Sequence, residues 1–175
     1  MKHFIVIDMQ NDFCTGALAN KDAAAIIPRI KAELQVAKTA GMHIIFTQDS
    51  HDLNYLNTNE GKHLPVPHCI RNSEGWKIVP ELLDEVTIDD LDSGKAQFIE
   101  KMHFSFDKWA DYIKSGDEVI MCGTCTDICV ISNALAIKAI DNVEVTVIAD
   151  CCAGLTKEKH NAALNVMESC QCTIR

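Results

Sequence analysis

The sequence predicts an α/β fold: a three-layer sandwich around a mainly parallel central sheet of roughly six strands. Three observations point there. Short β-branched apolar runs recur along the chain, helical patterns separate them, and the runs stay apolar through their middles, as strands covered on both faces should.

The strand-length runs are "HFIVID" (3–8), "MHIIFTQD" (42–49), "AQFIEK" (96–101), "DEVIMCG" (117–123), "VEVTVIAD" (143–150) and a terminal "CTIR". A first helix is expected to begin at Pro28, whose missing N–H suits an opening turn, to carry Ile30, Leu34 and Ala37 at helical spacing, and to stop at Gly41. A second takes Ser105 as N-cap, buries Phe106, Trp109 and Ile113, and ends at Gly116. The third opens at Asp127 and is apolar nearly all round, with Ser132, Asn133 and Lys138 as its main interior polar positions, which implies deep burial or an interface in a homo-oligomer. The fourth follows Thr156 and sets Ala162, Ala163, Val166, Met167 and Cys170 on one face. Residues 50–95 break the alternation: a polar stretch with Pro65, Pro67 and Pro80 and a short helix near 80–86. A segment of that length inside a compact domain is usually functional. With no repeat, low-complexity tract or linker, residues 1–175 read as a single domain.

Composition narrows the partners. A net charge of −9 with no long Lys/Arg run argues against nucleic acid and favours small molecules. No segment approaches the ~18 consecutive apolar residues of a membrane span, and "MKHFIVIDMQ" reaches an acid too early for a signal peptide. Nine cysteines, two of them adjacent at Cys151 and Cys152, do not suit a secreted disulfide framework, so reduced thiols in the cytoplasm are expected.

Ligand sites in parallel sheets gather beyond the carboxyl ends of the strands. Those ends carry Asp8, then Thr47-Gln48-Asp49 followed by His51, then Lys101, then "MCGTCTDICV" at 121–130. A cysteine in the first turn of a helix feels the positive end of the helix dipole, and a nearby lysine favours its thiolate further, so Cys129 is a candidate nucleophile with Asp8 as its base. Each residue also has a plainer reading: Cys129 as packing, Asp8 as a strand-end cap, Lys101 as a solvated charge, and Cys122-x-x-Cys125 as a zinc half-site or redox pair. Asp49 and His51, two apart on an extended chain, point to one side and can reach one ion, with His68 and Glu60 in the long segment as further ligands or as ordinary loop residues.

"IDMQNDF" at 7–13, the strand-end Lys101 and "GTCTDICV" at 123–130 together resemble the cysteine hydrolases of the isochorismatase-like superfamily, over essentially the whole chain. The resemblance implies a catalytic triad of Asp8, Lys101 and Cys129, a cis peptide at Thr124-Cys125, and an oxyanion hole from the backbone N–H groups of Cys125 and Cys129. The set Asp49, His51, Glu60 and His68 resembles the metal site of the nicotinamidase branch, which implies a divalent cofactor, zinc with iron or manganese as alternatives. It further implies hydrolysis of nicotinamide or a related small carboxamide through a cysteine thioester. Nicotinamidases usually carry an aromatic wall three residues before the last metal histidine; here Pro65 stands there. Phe13 matches the other wall, and Phe104, Phe106 or Trp76 is expected to replace the missing one. Two further readings stay open: a metal-free hydrolase of another amide, ureide or vinyl ether, and a non-catalytic ligand-binding protein.

Overall fold

A computed structural model describes residues 1–175. Six strands form one sheet: β1 (Lys2–Ile7), β2 (His43–Asp49), β3 (Ala96–Lys101), β4 (Glu118–Thr124), β5 (Glu144–Ala153) and β6 (Thr173–Ile174). Every pairing is parallel and the spatial order is β3-β2-β1-β4-β5-β6. Order therefore reverses at β1 and β4, and a crevice opens beyond their carboxyl ends.

The helices are α1 (Asn11–Cys14), α2 (Lys21–Thr39), α3 (Asn59–His63), α4 (Pro80–Leu83), α5 (Ile88–Asp92), α6 (Trp109–Tyr112), α7 (Ile131–Lys138) and α8 (Lys157–Ser169). Helix α2 lies against β1, β2, β4 and β5, while α7 and α8 pack on each other and on β5. Right-handed crossovers on either side of the reversal put these two groups on opposite faces.

Several elements differ from expectation for identifiable reasons. Helix α2 starts at Lys21, with the Asn20 side chain accepting from the Asp22 N–H, and Pro28 lies inside it. Ala23, Ile26, Ile27, Ile30, Leu34 and Ala37 make one continuous buried face, and that burial outweighs the hydrogen bond proline removes. Ser105 caps nothing: the helix after β3 is the single turn α6, and the Phe106 N–H is taken by Asn133 Oδ1 at 2.9 Å. The helix after β4 opens as a π turn, Thr126–Val130, with Cys125 as N-cap, while Asp127 accepts from the Leu155 N–H across the fold. Helix α7 is apolar all round because α6, α8 and β5 surround it within the chain. Helix α8 starts after Thr156 as expected, but buries only Ala163 and Met167 of its five expected residues. Residues 50–95 hold three short α-helices and a 3₁₀ turn at Tyr55–Asn57 instead of one helix, and two isolated bridges, Gln10 to Ile78 and His51 to Ile70, tie the segment to the strand ends.

Candidate active site

β1 ends in Asp8, which adopts φ 47°, a left-handed conformation rare for a side-chain-bearing residue. It turns the carboxyl into the crevice, wholly buried. Across it, β3 delivers Lys101, whose Nζ lies 2.6 Å from Asp8 Oδ2, 3.4 Å from Asp49 Oδ1 and 3.5 Å from Cys129 Sγ. Thus Asp8, Lys101 and Cys129 meet although 121 residues separate the first from the last. Close approach of β4 makes this possible: a Cβ on Gly123, at φ 127°, would stand 2.1 Å from the Ile7 carbonyl oxygen. The Thr124–Cys125 peptide that follows is cis, and the Cys125 N–H donates to no protein acceptor.

Electrostatics here are set by burial against a single cation. Burial pushes the Asp8 carboxyl up, opposed by Lys101 and by the Thr47 hydroxyl, with Asp49 adding to the rise. Lys101 stays well above its ordinary value despite burial, because Asp8, Cys129 and Asp49 all favour its charge. Burial pushes the Cys129 thiol well above the ordinary value, and Lys101 does not offset it. This corrects the expectation of a thiolate near neutral pH. The residue sits 6% exposed within a π turn, so desolvation outweighs the dipole and the lysine, and ionisation needs a base. The rival reading of Cys122 and Cys125 as a pair also falls away: Cys122 is buried in β4 among Cys151 and Cys152, while Cys125 faces the cavity, and all nine cysteines are free.

Next to the triad cluster, Asp49, His51, Glu60 and His68 each turn one ligand atom to a common point, all within 4.8 Å of one another. His51 Nε2 lies 3.0 Å from Asp49 Oδ2 and 3.7 Å from Glu60 Oε1; His68 Nε2 lies 3.5 and 3.7 Å from the same two oxygens. His68 Nδ1 donates to the Val66 carbonyl at 2.8 Å, which leaves Nε2 free to ligate when the ring is neutral. Burial and the neighbouring Asp49 push the Glu60 carboxyl up. Two imidazoles and two crowded carboxylates fit a divalent cation of the zinc, iron or manganese type.

Both clusters open on a cavity of about 230 Å³ lined by Phe13, Leu18, Leu64, Phe104, Ile128 and Leu155 together with Asp49, Glu60, His68, Cys125 and Cys129. Phe13 and Phe104 stand in this lining. Phe106 does not: it packs on Trp109 and Tyr112, at ring-centroid distances of 5.3 and 5.7 Å, because Asn133 draws its N–H toward α7. Trp76 also stays out, its Nε1 donating to Ser50 Oγ at 2.7 Å.

Four further residues support the site, none of them with a role expected from the sequence. Tyr55 packs against both His51 and His68, with ring centroids 4.7 and 5.0 Å away, and donates to the Leu64 carbonyl. Gln10 grips both the N–H and the carbonyl of Asp49. Asn133 donates to the carbonyls of Cys129 and Phe104 and accepts from Phe106 N and Trp109 Nε1. Thr47 bonds Asp8 twice. A polar residue within or closing an apolar run, as Asn133 and Thr47 are, was the available signal.

The isochorismatase domain profile matches residues 2–175. The Escherichia coli (strain K12) nicotinamidase is 25% identical over 189 residues, covering 94% of this chain and 88% of that protein. Among solved structures, a pyrazinamidase/nicotinamidase from Streptococcus mutans UA159 superposes with TM-score 0.87 at 28% identity, covering 100% of both chains. The pyrazinamidase of Pyrococcus horikoshii in complex with zinc gives TM-score 0.79 at 29% identity, covering 99% of this chain and 98% of that one. With its parallel sheet, its buried Asp-Lys-Cys cluster and its neighbouring four-donor site, the chain belongs to the isochorismatase domain family and lies near the nicotinamidase branch.

Proposed function

We propose that the protein is a cysteine amidohydrolase that converts nicotinamide or a related small carboxamide to the carboxylate and ammonia. The observation that carries this reading is the meeting of Asp8 and Lys101 with Cys129, whose side chain lines the cavity beside the four-donor cluster. Asp8 takes the Cys129 proton, and the sulfur attacks the amide carbon. The N–H groups of Cys125 and Cys129 face the developing oxyanion; one such donor is typically worth ~10²–10³ in rate. Asp8 returns the proton to nitrogen as the C–N bond breaks and ammonia leaves. Water then cleaves the thioester with Asp8 again as base, releasing the acid and the thiol. Lys101, kept protonated by its carboxylates, stabilises the anionic sulfur and does not attack. Phe13 and Phe104 hold a planar ring between them.

Asp49, His51, Glu60 and His68 would hold the cation, zinc first, which when bound supplies a Lewis-acidic anchor for an electron-pair donor on the substrate. Nine free thiols suit a cytoplasmic enzyme, and no helix is long and apolar enough to cross a membrane. Exposed Phe104 and Leu155 at the cavity support self-association as part of the same reading.

The test is ammonia release from nicotinamide, pyrazinamide and aliphatic amides, with and without chelator. Release from the ring amides that falls on chelation and vanishes in Cys129→Ala, with metal content retained, is expected. Turnover surviving in Cys129→Ala sinks the triad, and turnover indifferent to chelator removes the metal from the reading.

A further inference from the structure

A carboxylate that collects a proton from a thiol needs one oxygen held and the other open. Asp8 meets this condition through a single neighbour. Thr47, fully buried on β2, has a hydroxyl that accepts from the Asp8 N–H at 3.1 Å and donates to Asp8 Oδ1 at 2.6 Å. One oxygen thus bridges the backbone and the carboxyl of the same residue, at the point where that backbone takes its left-handed φ of 47°. The hydroxyl has one proton, and Oδ1 has it. Asp8 Oδ2 instead faces the Lys101 ammonium, at 2.6 Å, and no hydroxyl or backbone N–H. The same Lys101 Nζ lies 3.5 Å from Cys129 Sγ, so the open oxygen and the sulfur share one cation.

We propose that Thr47 is a positioning residue whose hydroxyl fixes the Asp8 carboxyl and leaves Oδ2 as the oxygen that exchanges the proton with Cys129. Thr47 lines no part of the cavity, so it acts through Asp8 and not on substrate. For turnover the inference rests on the amidase reading; for thiol reactivity it needs no substrate at all. Thr47→Val keeps the shape and removes the hydroxyl, letting the carboxyl swing so that neither oxygen is reserved. Thr47→Ser keeps the hydroxyl.

The test uses the purified full chain. Iodoacetamide labelling of Cys129 at neutral pH is timed by peptide mass spectrometry, beside the melting temperature and, for an amide that the wild type hydrolyses, kcat and KM. In Thr47→Val, Cys129 labelling and kcat should each fall roughly 10- to 100-fold, the worth of a hydrogen bond to a charged group, with KM within about twofold. Thr47→Ser should recover both rates to within about threefold, and Asp8→Asn should set the floor. Wild-type labelling in a folded Thr47→Val protein overturns the inference, as does a Thr47→Ser protein as slow as Thr47→Val. Should the valine variant fail to fold, Thr47→Ala carries the same comparison. A wild type that hydrolyses no amide refutes the amidase reading, while the labelling series still decides the role of Thr47.

Discussion

Replacing Lys101 with methionine should destabilise the protein far more than removing any surface charge. Its Nζ stands 2.6 Å from Asp8 Oδ2 and 3.4 Å from Asp49 Oδ1, with all three groups buried. At an effective dielectric of about 20 those contacts are worth about 6 and 5 kcal/mol of gross attraction. Desolvation offsets most of that, and removing one partner of a buried pair is found to destabilise by about 3–5 kcal/mol. One cation here serves two carboxylates, which places Lys101→Met toward the upper end. In a chain of this size that lowers the melting temperature by roughly 10–15 °C. Adding Asp8→Asn removes one of the two stranded charges, so the double variant should recover about 2 kcal/mol relative to additivity. Calorimetric melts of chelator-treated protein measure both, since a cation bound at Asp49 would take over part of the lysine's role. A Lys101→Met melt within about 2 °C of wild type, or strictly additive losses, would show that the cluster does not hold charge as described.

Three further outcomes are expected. Gly123→Ala puts a Cβ 2.1 Å from the Ile7 carbonyl at a φ of 127°, so it should lose at least about 3 kcal/mol and part β4 from β1; a wild-type denaturant midpoint would contradict the close approach. Phe104→Ala, at a wall residue that is 50% exposed, should raise KM with little change in melting temperature, whereas Phe106→Ala should lower stability and leave KM near wild type; reversed roles in steady-state kinetics and melts would refute the assignment of walls. Asp117 is held at about 2 by the N-terminal ammonium, the Lys114 N–H and His3, which together outweigh its burial. Its folded value lies below the unfolded one, so its contribution of about 2 kcal/mol is present above pH ~4 and is lost as pH falls toward about 2. Asp117→Asn should therefore be less stable at neutral pH by about that amount, and denaturant titrations should show the gap closing as the pH is lowered.

The sheet was legible because each long strand is a continuous apolar run, and a parallel sheet buried on both faces needs such runs. Given those strands, the meeting of Asp8, Asp49 and Lys101 follows from chain direction alone, since every strand points the same way and ends at the same edge. What stayed hidden depends on partners far away in sequence. Pro28 marks a helix start by local chemistry, yet six buried residues, three on each side of it, carry the helix through. Phe106 has the composition of a pocket wall, but Asn133, 27 residues on, turns it inward. The Cys129 thiol is the sharpest case. Its position predicts a depressed pKa from a dipole and a lysine, whereas burial, which no local pattern reports, pushes the thiol up, and the Asp8 and Asp49 carboxylates add to the rise. A neutral resting thiol with a proton-hungry buried carboxyl beside it is a different starting state from a preformed thiolate. It moves the demand for reactivity from the cysteine to the geometry of Asp8, which in turn depends on Thr47, a residue that the sequence places at a strand end without showing what it bonds.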